Sequence, residues 1–385
     1  MENGKLTEHL KDRPLRLQEA KEKGGKIIGF FPGNYVPEEI IYASGAIPVC
    51  LTDGGNSQTA DAALSVVPRI ICPFARTLIA ERMLKNNPYY PMLDMVVAPI
   101  TCQHLKKVAE IWEYQGDLEI YKLGIPHQSG GDSELEYFTS RLRVMRERIE
   151  ALTGRRITDE KIIEAIDLYN RMRKLLKDIS LMRRDADPPL TGLDFVRLNH
   201  ASFYADPVFM VNHLSSLYEE WNRKQGEKKS HKTRLLLAGP NLAQGDYNIL
   251  ELVEAAGGQV VVEEICEGIR NYWQHVENSG NPLRSLAKSY LRDRLPCAYM
   301  RDSTRKRLDF TLKLIEDFDV SGVIWYELLC CETYDQESYF LDKKMQERRI
   351  PMLIVESNYD VADGGPLRNR LDAFMEMVKG GPEYA

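Results

Sequence analysis

Short apolar runs alternate with longer helical patterns along most of the chain. In the first third, runs of strand length lie at 26–31, 47–51, 92–100 and 118–123. The segments between them carry apolar residues at helical spacing, and the same alternation returns at 233–238, 259–264, 320–329 and 351–356. Strands that alternate with helices are typical of parallel sheets, so the pattern predicts the α/β class.

A long charged helical stretch separates the two alternating regions. Residues 133–222 have mostly helical patterns, and residues 223–232 form a polar, basic connector. We therefore predict a first α/β domain with a leading helix at 1–132, a helical segment at 133–222 and a second α/β domain at 233–385. The expected architecture is two doubly wound parallel-sheet domains, Rossmann-like or flavodoxin-like, with an inserted helical layer.

Length and composition narrow the classes of protein that fit. The 385 residues are too many for one ordinary core, and 43% apolar with 28% charged residues is typical of a globular protein. The net charge of −6 gives no general attraction to nucleic acid. Neither a bilayer-length apolar run nor an apolar signal segment is present. We predict a cytoplasmic protein with no nucleic acid or membrane partner.

The positions of the cysteines suggest a cluster site. Cys102 and the pair Cys330–Cys331 end apolar runs that precede helical patterns, and Cys72 ends a short apolar segment before Pro73. Ligands collect at the carboxyl ends of strands in open parallel sheets. Cysteine thiolates hold iron–sulfur clusters, and three of them leave one iron of a four-iron cluster open. We predict that Cys72, Cys102 and one of the late pair bind a [4Fe–4S] cluster.

Other chemistries have weaker support in the sequence. Neither a Gly-x-Gly-x-x-Gly nor a P-loop motif occurs, so a standard nucleotide site is not predicted. A Cys102–His104 nucleophile is an alternative, but residues two apart do not share a helix face. A non-redox protein that closes around a small ligand, with a hinge at 223–232, is a further alternative.

A family resemblance is carried by residues 29–49, which include Pro37-Glu38-Glu39. This stretch resembles the N-terminal signature of the 2-hydroxyacyl-CoA dehydratase family, which includes ATP-dependent benzoyl-CoA reductases and double-cubane cluster proteins. Further landmarks follow in the family's order over nearly the whole chain: Cys72-Pro73, Thr101-Cys102, the segment 263–268, Asn281-Pro282-Leu283, Pro296-Cys297 and the segment 331–334.

The resemblance implies an iron–sulfur subunit of a radical enzyme of anaerobic metabolism. Members form dimers, either with a related second subunit or with a second copy of the same chain. A separate ATP-hydrolysing iron–sulfur activator injects an electron. Dehydratases are lyases that form a ketyl radical from an (R)-2-hydroxyacyl-CoA, whereas benzoyl-CoA reductases are oxidoreductases that reduce an aryl-CoA ring. The dehydratase is the main hypothesis and the reductase is the alternative. A non-catalytic subunit that only dimerises with an active paralogue is a third.

The resemblance also implies roles for single residues. The ligands become Cys72, Cys102 and Cys331, with Cys331 preferred over Cys330 because it precedes the polar triplet Glu-Thr-Tyr. Glu39 is a candidate catalytic acid or base, although its charge would also stabilise a helix N-terminus. His104 is the second candidate catalytic residue.

Three further points concern the surroundings of the cluster. Asn34 and His127 are candidates, like His104, for hydrogen bonds to substrate or to a cluster-bound oxygen. Double-cubane members have an extra cysteine where residues 86–90 have none, so a single four-iron cluster is favoured over the double-cubane cluster. Cys266 and Cys297 nevertheless resemble common family positions.

Overall fold

The computed structural model describes residues 4–224, 232–277, 280–301, 303–360 and 364–380. These ranges contain two four-stranded parallel sheets, which confirms the predicted α/β class. The first sheet has the order β2-β1-β3-β4 and the second β6-β5-β7-β8. The strands are β1 (Ile27–Phe30), β2 (Ile47–Cys50), β3 (Met95–Ile100), β4 (Glu119–Gly124), β5 (Thr233–Ala238), β6 (Gly258–Glu264), β7 (Gly322–Leu328) and β8 (Met352–Ser357).

Helices connect the strands and form the layer between the two halves. They are α1 (Gly4–Glu22), α2 (Glu38–Ala43), α3 (Ser57–Ala62), α4 (Pro73–Leu84), α5 (Gln103–Gln115), α6 (Asp132–Thr153), α7 (Asp159–Leu181), α8 (Gly192–Ala201), α9 (Pro207–Lys224), α10 (Asn248–Ala255), α11 (Ile269–Tyr272), α12 (Pro282–Lys288), α13 (Ser303–Asp317), α14 (Glu332–Arg348) and α15 (Gly364–Gly380). The sequence pattern did not predict α12 or the π-helical turn Ser289–Asp293 that continues it. None of the helices in the described ranges is long and apolar enough to span a bilayer.

The strand order places two of the predicted cysteines at equivalent points. In both sheets the chain starts at an inner strand and reverses direction between its first and third strands. This reversal opens a crevice at the carboxyl ends, where ligands bind in such sheets. Cys102 follows β3 and Cys331 lies three residues after the end of β7. Cys72 differs from the expectation because a turn, not a strand, precedes it.

The two sheets meet through the loops at their carboxyl ends. The Gly54 backbone N–H donates to the Gln244 carbonyl at 2.9 Å, and the Gln244 N–H donates to the Thr52 carbonyl at 2.7 Å. Gly245 has a φ of +102°, and a Cβ there would lie 2.7 Å from the Gly54 oxygen. Only glycine permits both this backbone angle and this approach.

The helical layer contacts both halves of the chain. Helix α7 packs on α2, α9 and α11. Arg173 on α7 pairs with Glu39 of α2 at 2.6 Å, and Arg183, just after α7, pairs with Glu263 of β6 at 2.7 Å. The predicted connector begins inside α9, and its residues 225–231 lie outside the described residues. The three domain boundaries stay predictions, as does the cytoplasmic location.

Loss of the buried Arg183 should destabilise the fold far more than loss of the adjacent, more exposed Arg184. Arg183→Met leaves the Glu263 carboxylate buried without its cation, so we expect the free energy of unfolding to fall by about 3–5 kcal/mol. Arg184→Met removes an exposed pair with Asp317 and should cost about 1 kcal/mol or less. Urea unfolding followed by circular dichroism measures both. Equal losses would contradict the assigned importance of the buried pair.

Candidate functional site

Three cysteines each occupy the residue before the first turn of a helix. Cys72 precedes α4, Cys102 precedes α5 and Cys331 precedes α14. The Cys102 sulfur accepts a hydrogen bond from the Leu105 backbone N–H at 3.4 Å. Free backbone N–H groups and the helix dipole make such positions favourable for negative charge. The three helix N-termini therefore favour the thiolate form of these cysteines, and burial opposes it.

The three thiols also interact with one another. Burial, followed by the charge of Cys102, raises the pKa of Cys72 to about 12. Burial and the charges of Cys72 and Cys102 raise the pKa of Cys331 well above its usual range. Negative charges repel each other strongly where little water screens them. Three thiolates can therefore coexist there only beside a positively charged group.

This donor set fits an iron–sulfur cluster. Such clusters bind cysteine thiolates, and their iron ions provide the positive charge that three neighbouring thiolates need. Across the described ranges, no group of three or more His, Cys, Asp or Glu side chains is arranged around a single metal ion. The thiolates of a cluster bind different irons, so a cluster does not require its three cysteines to surround one metal ion.

The adjacent Cys330 and Cys331 have different surroundings in the structure. Cys330 has a φ of +65°, and the charged groups that affect it are Glu356, Arg76 and Glu332. Cys331 interacts instead with Cys72 and Cys102. Cys331 thus belongs with the other two cysteines, whereas Cys330 has different charged neighbours.

A second pair of sulfur atoms lies beside this group. The Tyr334 hydroxyl is 3.5 Å from both the Cys266 and the Cys297 sulfur atoms, and Arg270 donates to Cys266 at 3.1 Å. A hydrogen bond with Cys266 lowers the pKa of Cys297 to about 7. The charge of Cys266 also affects Cys102, so five cysteines surround one region. Only family resemblance had marked Cys266 and Cys297.

The other polar candidates have structural partners. His104 Nδ1 accepts the Cys72 backbone N–H at 3.3 Å, and burial lowers the pKa of His104, so the neutral ring supports the turn that carries Cys72. Asn34 has a φ of +66° and donates to the Cys266 carbonyl at 2.6 Å. His127 is exposed, with its ring 4.9 Å from that of Tyr299.

Two adjacent glutamates have different surroundings. Glu39 is fully buried, and its two oxygens accept from Arg173 at 2.6 Å and from the Tyr290 hydroxyl at 2.8 Å. Glu38 instead lines a narrow cavity with Asn34, Cys266 and Arg294 among others, and burial raises the pKa of Glu38 to about 7. The cavity-facing carboxyl is therefore Glu38. Its only sequence signal was the Glu-Glu doublet, which does not tell the two residues apart.

Comparisons with known proteins agree with this arrangement. The family model described as "2-hydroxyglutaryl-CoA dehydratase, D-component" matches residues 34–378. The chain belongs to this family. It is therefore an enzyme subunit, and the matched range includes all five cysteines of the region.

Three relatives match nearly the whole chain. A protein of Escherichia coli (strain K12) with the provisional name of dehydratase subunit YjiM is 26% identical over 94% of this chain and 94% of its own. A benzoyl-CoA reductase subunit of Thauera aromatica is 23% identical over 97% and 96%. The (R)-phenyllactyl-CoA dehydratase beta subunit of Clostridium sporogenes is 22% identical over 94% of both chains. The family thus includes subunits named for both predicted reactions.

Removal of the Glu38 carboxyl should change how stability depends on pH. The folded-state pKa of about 7 exceeds the usual 4.5, so the wild type loses stability as pH rises from about 4.5 to 7 and the unfolded chain ionises first. Glu38→Gln abolishes this loss. Its stability relative to wild type should increase across that range by on the order of 3 kcal/mol.

Urea unfolding at several pH values measures the difference, with Glu147→Gln on the exposed face of α6 as the control. A Glu38→Gln curve that stays parallel to the wild-type curve at every pH would show that the carboxyl ionises normally in the folded protein.

Proposed function

We propose that this chain is the iron–sulfur subunit of a low-potential radical enzyme that acts on acyl-CoA thioesters, with dehydration of an (R)-2-hydroxyacyl-CoA as its reaction. One observation carries the proposal: Cys72, Cys102 and Cys331 converge, each at a helix N-terminus, in a member of a dehydratase family. The proposed cofactor is one [4Fe–4S] cluster.

Each residue of the site would have a defined task. The three cysteines hold the cluster, which supplies low-potential electron transfer when bound. His104 fixes the backbone of Cys72, because its Nδ1 accepts the N–H of that residue. Glu38 carries a proton that is exchangeable near neutral pH at the wall of a cavity shared with Cys266. Glu39 keeps Arg173 and Tyr290 in place, so its contribution is to position its neighbours.

The partners in this proposal are an acyl-CoA substrate, a related second subunit and a separate ATP-hydrolysing iron–sulfur activator. The names of the relatives support a second subunit, since each of them is named as one subunit of a larger enzyme. The activator rests on the family resemblance of the sequence. Whether the second subunit is identical or only related follows from purification of the natural complex.

A second candidate is an aryl-CoA reductase subunit. Its support is the 23% identity to the benzoyl-CoA reductase subunit of Thauera aromatica over 97% of the chain. We favour dehydration because the family description and several relatives, including the phenyllactyl-CoA and lactoyl-CoA enzymes, are named for it. The adjacent Cys266 and Cys297 keep the double-cubane cluster as the alternative cofactor.

Cluster content should distinguish the two neighbouring cysteines. Anaerobically purified wild-type chain should contain about four iron and four sulfide ions, and Cys331→Ser should lose most of both. Cys330→Ser is the matched control and should retain them, since the charged groups that affect Cys330 are Glu356, Arg76 and Glu332 and not the other cysteines. Iron and acid-labile sulfide assays give the result. A wild type without iron would refute the cluster. Loss of iron in Cys330→Ser alone would identify Cys330, and not Cys331, as the ligand.

The reaction itself can be assigned by an assay of the natural complex. We expect the anaerobic complex, with its activator and ATP, to convert (R)-lactoyl-CoA or (R)-phenyllactyl-CoA to the enoyl-CoA, as detected by chromatography. Reduction of benzoyl-CoA without any dehydration would favour the second candidate. An iron-loaded complex that transforms none of these thioesters would contradict the proposed substrate class.

A further inference from the structure

Cys266 and Cys297 form a pair of thiols outside the proposed three-cysteine site. Cys266 lies two residues after the end of β6, and Cys297 lies between the π-helical turn Ser289–Asp293 and α13. Both sulfur atoms are 3.5 Å from the Tyr334 hydroxyl oxygen, so the two sulfur atoms are separated by at most twice that distance. The two thiols also hydrogen-bond each other. Two separate loops therefore bring these side chains together.

A buried arginine lies beside this pair. Arg270 is 2% exposed and donates to the Cys266 sulfur at 3.1 Å. Its guanidinium also lies 5.3 Å from the centre of the Tyr334 ring and pairs with Glu264 at 2.5 Å. Cysteines next to arginine and other hydrogen-bond donors lose their protons more easily than thiols in apolar surroundings. The pair as a whole is therefore able to hold one negative charge.

The two thiols of the pair are not equivalent. The hydrogen bond with Cys266 lowers the pKa of Cys297 to about 7, although burial acts against it. The same hydrogen bond, together with burial, raises the pKa of Cys266 well above its usual range. Cys266 is 8% exposed, whereas Cys297 is partly exposed. A more accessible thiolate next to a more deeply buried thiol is the arrangement in which the first sulfur attacks an oxidant and the second resolves the product.

The pair also lies where the two halves of the chain meet. The Cys266 carbonyl accepts from the Asn34 side chain at 2.6 Å, and the Cys297 backbone N–H donates to the Tyr35 hydroxyl at 3.1 Å. Tyr334, which contacts both sulfur atoms, is in the first turn of α14. A bond between the two sulfur atoms would replace their contacts with this hydroxyl. The oxidation state of the pair would therefore affect the start of α14.

We infer that Cys266 and Cys297 are a redox-active dithiol that a low-molecular-weight disulfide converts to an intramolecular disulfide. In the first step, the Cys297 thiolate attacks the small disulfide, which forms a mixed disulfide on Cys297 and releases one small thiolate. The Cys266 thiol then loses its proton and attacks the Cys297 sulfur, which releases the second small thiolate. The pair loses two protons and two electrons, and the small disulfide is reduced to two thiols.

This assignment goes beyond the proposed function, because it requires neither an acyl-CoA substrate nor the cluster on the other three cysteines. It also excludes the double-cubane alternative, in which Cys266 and Cys297 would be ligands. A thiolate bound to iron is not free to exchange with a small disulfide, and its loss removes iron. The Tyr334 hydroxyl and the Arg270 guanidinium already bind these sulfur atoms, so the pair has its partners within the chain.

Thiol trapping on the anaerobically purified complex tests the inference. The complex is incubated with oxidised glutathione, free thiols are alkylated, and the peptides are mapped by mass spectrometry. The wild type should form a disulfide that links Cys266 to Cys297. Cys266→Ser lacks the resolving thiol, so a mixed disulfide with glutathione should accumulate on Cys297. Cys297→Ser lacks the attacking thiol and should form neither product. Cys330→Ser removes another partly exposed thiol and, as the control, should form the disulfide like the wild type.

Iron content of the same samples separates a dithiol from a pair of cluster ligands. Cys266→Ser and Cys297→Ser should retain the iron of the wild type. Substantial loss of iron in either variant, with a circular dichroism spectrum like that of the wild type, would identify cluster ligands and overturn the inference. A wild type in which both thiols stay open to alkylation, or form disulfides only with other cysteines, would also overturn it. A wild type that forms the expected disulfide but contains no iron would refute the proposed cluster and support the dithiol.

Discussion

Two buried arginines of the helical layer link the halves of this protein. Arg173 reaches Glu39 at the start of the first α/β unit, and Arg183 reaches Glu263 in the second sheet. A buried charge without its partner is expensive, so each pair permits only one arrangement of the elements it joins. The placement of Cys102 and Cys331 opposite each other depends on that arrangement, because they belong to different sheets.

The cysteine group shows a conflict that the fold alone does not resolve. Helix N-termini favour thiolates at Cys72, Cys102 and Cys331, whereas burial and mutual repulsion favour neutral thiols. A bound group that carries positive charge satisfies both demands. His104 adds no charge to this group, because burial lowers its pKa and keeps the ring neutral.

Much of this could be predicted from the sequence because the pattern is local. Apolar runs and helical spacing located the eight strands now observed, and strand ends located Cys102 and the late cysteine pair. Family resemblance favoured Cys331 over Cys330, and the structure adds that Cys331 interacts with Cys72 and Cys102, whereas Cys330 is affected by Glu356, Arg76 and Glu332. The roles of Glu38 and Glu39 depend on Arg173, which is more than a hundred residues away, and no local pattern contains that contact.

The position of the three cysteines on distant segments of the chain has a consequence for stability. In the proposed holo state, Cys72, Cys102 and Cys331 would join the turn before α4, the loop after β3 and the loop after β7, so the cofactor would act as a three-way cross-link. Cross-links between residues far apart in sequence stabilise a fold chiefly by removing conformations from the unfolded chain, and more so for longer loops. The long loop between Cys102 and Cys331 contains the entire helical layer. Redox chemistry and the mechanical integrity of the chain would then rest on the same three sulfur atoms.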